Sequence, residues 1–118
     1  MKMDQRIKGL WLTALRSGDY EQARGYLHLA PKGGKDSFCC LGVLCEVAIA
    51  DGVDLEKVNH EGITWYDGCF GGLPLAVRRW AEMSELMGGN TSRGEDLSEL
   101  NDRGVSFTEI ANIIEEEF

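Results

Sequence analysis

No stretch of this sequence is apolar for long enough to span a bilayer, which takes roughly 18–20 residues. The longest apolar run, around Leu41–Ala50, is interrupted by Glu46. The opening residues Met1–Arg6 lead into an amphipathic pattern, not into the apolar stretch of a secretory signal. Histidine is scarce: there are two in 118 residues, and neither stands in a His-x-x-x-His or His-Asp arrangement. Metal hydrolysis therefore lacks a ligand set, and the acidic residues show no EF-hand spacing. Basic charge is short as well, with 12 Lys and Arg against 20 Asp and Glu, a net charge of −8. Such a chain repels a phosphate backbone, because affinity for nucleic acid comes largely from counterion release by basic side chains. The expectation is a cytoplasmic protein with no membrane segment, no DNA or RNA partner, no cofactor and no metal.

What the chain does contain is enough for one core. Its apolar fraction is 43%, and 118 residues make a single domain, residues 1–118. A domain of this size buries roughly two-thirds of its unfolded surface, so it folds without metal or disulfides. Cys39, Cys40, Cys45 and Cys69 lie in apolar surroundings and do not form the two close pairs of a zinc site. They are expected as free, buried, small hydrophobes.

Apolar periodicity sets the elements. Ile7, Leu10, Trp11, Ala14 and Leu15 recur at helical spacing and predict a first helix, capped by Asp4 and ended at Gly18. Arg24–Leu29 alternates and predicts a short strand, followed by a loop at Pro31–Asp36. Ser37 is expected to cap a second helix, Phe38–Asp51, with Gly52 as its stop. That helix is apolar nearly all round, as the central helix of a domain is. Gly42 in its middle costs about 1 kcal/mol relative to Ala, so a close neighbour is expected there, Trp11 or Trp80. Gly62–Tyr66 predicts a strand with a turn at Asp67-Gly68. Pro74 opens a third helix, carrying Leu75–Ala81 and broken by Met87-Gly88-Gly89-Asn90.

Leu97 and Leu100 mark a short helix closed by Asn101–Gly104. Ser106 and Glu109 have the spacing of a capping box before the stripe Phe107, Ile110, Ala111, Ile114 and Phe118. The predicted fold is α+β and mostly helical: four or five helices around Phe38–Asp51, with a small two- or three-stranded sheet.

Four blocks carry a resemblance: WLTALRSGDYEQARGYL at Trp11–Leu27, FCCLGVLCEVA at Phe38–Ala48, LPLAVRRWAEM at Leu73–Met83, and LNDRGVSFTEIANIIEEEF at Leu100–Phe118. Across nearly the whole chain, in order, they resemble a widespread set of small phage and prophage proteins of uncharacterised function. The resemblance implies origin more than activity. It points to a short viral accessory protein of the host cytoplasm, of the kind that binds and disables a host component, including immune enzymes or their nucleotide signals.

Three sets of residues bear on chemistry. Cys39, expected in the first helical turn where the helix dipole lowers a thiol pKa, stands upstream of His60 and of Asn101 or Asp102. That order suits a thiol hydrolase, although a buried cysteine beside an exposed histidine is the simpler account. Gly68-x-x-Gly71-Gly72 lacks the lysine of a phosphate-cradling loop. Trp65 or Tyr66 stacking on a base, with Arg78 or Arg79 on a phosphate and Arg16 and Arg24 as further cations, would hold a small nucleotide. The plainer alternative puts Trp65 in the core and the arginines on carboxylates. The expected function is sequestration of a small host signalling molecule, such as a cyclic nucleotide, without turnover, in a homo-oligomer if subunits share the pocket. The alternative is a protein–protein inhibitor or adaptor whose acidic surface occupies a basic groove on a host enzyme.

Overall fold

The computed structural model describes residues 2–85, 88–89 and 91–118. The amphipathic N-terminal pattern forms helix α1, Gln5–Arg16, and the Asp4 carboxylate accepts the Ile7 N–H at 2.9 Å to start it. Ile7, Trp11, Leu12 and Leu15 face inward. The all-apolar segment forms α2, Cys40–Ala50, whose residues from Cys40 to Cys45 are all buried. Helices α3 (Leu75–Ala81), α4 (Leu97–Asp102) and α5 (Phe107–Glu117) complete the layer, and α1, α3 and α4 pack on α2.

Among the described residues the sheet has five strands where two or three were expected. They are β1 (Glu21–Gln22), β2 (His28–Leu29), β3 (Ser37–Phe38), β4 (Lys57–His60) and β5 (Ile63–Tyr66), in the order β1-β3-β2-β5-β4. Strands of two residues carry no alternation to read, which is why β1 and β3 escape the sequence. The predicted strand Arg24–Leu29 shrinks to its last two residues.

Ser37 does not cap α2. Ser37 and Phe38 pair with β1 in parallel and with β2 in antiparallel, and the Phe38 carbonyl accepts the Ala23 N–H at 2.7 Å. Sheet pairing takes these residues away from the helix. Cys39 is the N-cap instead, its sulfur accepting the Gly42 N–H.

The neighbour that Gly42 admits is neither Trp11 nor Trp80 but the backbone of Leu27. A methyl group on Gly42 would overlap the Leu27 carbonyl. That carbonyl also accepts the Cys39 N–H at 3.1 Å, so the chain entering β2 lies directly on the first turn of α2. Trp11 lies alongside, donating its indole N–H to the Cys40 carbonyl at 3.0 Å, and Trp80 donates to Asp51 at 2.9 Å.

Two turns shape the sheet's far end. Glu61-Gly62 joins β4 to β5 with φ of 53° and 84°, and Asp67-Gly68 turns the chain back to Cys69 with 51° and 79°. Positive φ at both central positions is the type I′ geometry that fits the twist of a hairpin. Helix α3 ends at Ala81 on a left-handed Glu82, before the expected break. Of that break, Gly88 and Gly89 have positive φ, while Met87 and Asn90 lie outside the described residues. A complete capping box stands at Asp96 and Glu99 of α4, one helix earlier than expected. At α5 Ser106 caps Glu109, whose carboxylate turns toward Arg93 at 4.0 Å.

Gly42→Ala therefore tests the packing of sheet on helix. Helix propensity alone would favour alanine by about 1 kcal/mol. The overlap with Leu27 reverses the sign, and the expected outcome is destabilisation by about 3 kcal/mol, read as a lower denaturation midpoint.

Candidate functional site

The six residues expected to bind a nucleotide do not converge. Trp65 is half-buried on the sheet's outer face against Phe70, with ring centres 4.7 Å apart. Tyr66 points to the other face and is 0% exposed, so its ring is closed to stacking. Arg78 and Arg79 line an open groove with Leu75, Glu82, Met83 and Ser84, and neither Trp65 nor Tyr66 reaches it. Arg16 is held by Glu115 and Asn112, both at 3.0 Å, tying α1 to α5. Arg24 is exposed and lies against Gly104.

The thiol reading fails on burial. Cys39 is 4% exposed, and desolvation pushes its thiol up to about 11, more than its backbone hydrogen bonds pull it down. His60 lies exposed on β4, and Asn101 is committed elsewhere. Its amide accepts the Cys40 N–H and Gln22 and donates to the Ala23 carbonyl at 2.7 Å. That is a structural brace between α4, α2 and the β1 segment. Among the described residues no group of three or more Cys, His, Asp or Glu is placed to hold a metal ion.

The polar centre of the molecule lies elsewhere. Buried His28 contacts Asp36 through Nε2 and the Tyr66 hydroxyl through Nδ1, both at 2.8 Å. The Tyr66 hydroxyl donates to Glu46 at 2.6 Å, and Lys57 meets the same carboxylate at 2.9 Å. Phe38 stacks on the imidazole with ring centres 4.1 Å apart. With Tyr66 donating to Glu46, Nδ1 of His28 must carry its hydrogen. Burial, then the bond to Glu46, raises the Tyr66 pKa and keeps the phenol neutral.

Glu46 is the one charge in α2. It also lines a cleft of about 370 Å³ between α1 and α2. Leu10, Ala14, Val47 and Ala50 give that cleft an apolar floor, and Asp19, Tyr20, Glu46 and Asp51 stand around it. At one end Arg6 and then Trp80 hold Asp51 by hydrogen bonds and lower its pKa to about 2. With its folded value depressed, the stability from this contact is present above the ordinary carboxylate range and is lost as pH falls through about 2. At the other end burial, then Glu46, raises the Tyr20 pKa. Sequence reasoning passed over this centre. The available signal was Glu46 itself, because a lone charge inside an apolar helix needs a partner.

The fold is a small α+β domain, a five-stranded sheet backed by helices, with open clefts on its surface. The chain belongs to the family described as a domain of unknown function, DUF8296, whose profile matches residues 3–118. Neither the curated proteins nor the solved structures provide a match to it.

Two measurements check this account. Native protein at pH 8 should leave Cys39, Cys40 and Cys45 unalkylated by iodoacetamide, with reaction at all three only after denaturation; rapid native labelling of Cys39 would restore the nucleophile. Tyr66→Phe removes the link between His28 and Glu46, and is expected to cost roughly 1–3 kcal/mol in a denaturant titration.

Proposed function

We propose that this chain is a phage-encoded accessory protein of the host-cell cytoplasm that acts by stoichiometric binding, without turnover, to counter a host defence. Its ligand surface is the cleft between α1 and α2, and its ligand is a basic, partly apolar segment of a host protein. One observation carries this reading: an apolar floor with Asp19 at its rim, beside Glu46 and Asp51 already held by Lys57 and Arg6, on a chain of net charge −8. Leu10, 38% exposed, adds apolar surface beside it. A cleft between two helices suits an amphipathic segment laid along it, with apolar side chains down and a cation at Asp19. Asp19 at the rim repels a phosphate, which counts against a nucleotide in this cleft.

A nucleotide reading rests on a different place. Arg78 and Arg79 share the open groove on α3, and the Arg78 Nε is buried without a hydrogen-bond partner among the described residues. Sequestration of a small nucleotide would use that groove and not Trp65. It needs a wall that the open groove lacks, since small ligands bind where most of their surface is buried.

The two readings separate cleanly. An 18-residue Leu/Lys amphipathic peptide should bind by calorimetry, weaken with added salt, and bind better than its Leu/Glu counterpart. Asp19→Lys should weaken it about fivefold, the equivalent of roughly 1 kcal/mol. Equal affinity for both peptides, or none, would overturn the cleft. In a thermal-shift panel of linear and cyclic nucleotides, a rise in Tm abolished by Arg79→Ala would establish the nucleotide reading instead.

A further inference from the structure

Among the described residues strand β4 ends the sheet, and all four of its residues are exposed. Its pairing with β5 fixes which backbone groups are spent. The Asp67 N–H donates to the Glu56 carbonyl at 2.8 Å, and the hairpin closes on His60 opposite Ile63. Antiparallel pairs alternate between those that exchange hydrogen bonds and those that do not. Glu56, Val58 and His60 therefore bond inward to β5, while Lys57 and Asn59 turn their N–H and C=O to the open edge. Such an edge is a template for another strand. The side chains alternate too: Lys57 and Asn59 lie on the face of buried Tyr66 and Thr64, and Val58 lies on the outer face beside Trp65. Val58 is 48% exposed.

We infer that β4 pairs with β4 of a second copy of this chain, antiparallel about a two-fold axis at Val58. Three symmetric registers use the outward-facing groups of Lys57 and Asn59. An axis at Lys57 sets two lysines directly opposite, which is destabilising. An axis at Asn59 needs Glu61 extended to bond Lys57 of the other copy, but Glu61 is in the turn with φ 53°. The axis at Val58 meets neither objection. It pairs Lys57 with the other copy's Asn59, twice, giving four main-chain hydrogen bonds. Val58 meets Val58 in a pair that exchanges none, where side chains come closest. Glu56 faces His60 on both sides of it, carboxylate against imidazole. The result is one continuous sheet of ten strands, with the Val58–Trp65–Phe70 surface of each copy side by side. The cleft between α1 and α2 is lined by none of these residues and stays open.

Sedimentation velocity over a concentration series, with light scattering, tests the pairing. The expected result is a dimer that dissociates on dilution and shows concentration-dependent hydrogen-exchange protection of the Lys57 and Asn59 amides. Val58→Lys should be monomeric throughout, with an unchanged circular dichroism spectrum, since that side chain is at the surface. His60→Glu sets like charges opposite each other and should shift dissociation about tenfold toward monomer. Glu56→Lys combined with His60→Glu restores opposite charges and should recover the dimer. A chain that is monomeric at every concentration, or a dimer indifferent to Val58→Lys, would overturn the inference. So would charge variants that fail to rescue each other while the fold is intact, or exchange protection independent of concentration.

Discussion

The backbone of Leu27 rests on the backbone of Gly42, and the two layers of the molecule are joined at that contact. Because no side chain intervenes, the Leu27 carbonyl can accept the Cys39 N–H, one of the orphan donors at the start of α2. The same first turn gives the Cys40 N–H to Asn101 and the Cys40 carbonyl to Trp11. Segments from the two ends of the chain and from the sheet thus meet around Cys39, Cys40 and Gly42 at the start of α2. A side chain at position 42 would separate them all at once. The glycine's propensity cost is small beside what that approach allows.

Burying α2 so fully has an electrostatic consequence. Its single charge, Glu46, is half-covered, and Tyr66 and Lys57 satisfy it. Tyr66 in turn needs His28, and His28 needs Asp36, so one half-covered carboxylate calls up a line of polar groups that reaches solvent again at Asp36. Such a line is worth little net stability when complete and is costly when broken, because each remaining group is then buried without its partner. It does specify geometry. β2, β5 and α2 can stack in only one register if all four groups are to be satisfied.

The helices were legible because their signals are local. Asp4 and Ser106 cap where their spacing says, and the stripe Ile110, Ala111, Ile114 faces inward. The N-terminus of α2 was misjudged by two residues for a nonlocal reason. Ser37 is a good cap by composition, but Phe38 finds sheet partners in β1 and β2, and pairing outweighs capping. The sheet was only partly legible, since β1 and β3 exist through partners sixteen residues apart and not through any pattern of their own. The candidate binding residues fared worst. Periodicity separates Trp65 from Tyr66 by face, which is enough to bury one of them, but nothing local shows that Arg16 is taken by Glu115 or that Asp51 is taken by Arg6. Ion pairs between residues 45 and 99 positions apart leave no trace in spacing.

Helices α1 and α5 are each other's neighbours. Lys8 reaches the Glu115 carbonyl, Arg16 the Glu115 carboxylate, and Gln5 the carbonyl of Phe118. The Lys8 and Arg16 contacts to Glu115 span 107 and 99 positions. Closing a loop that long costs chain entropy before any contact repays it. Neighbouring segments meet first, and the seam between α1 and α5 is a late and slow step of folding.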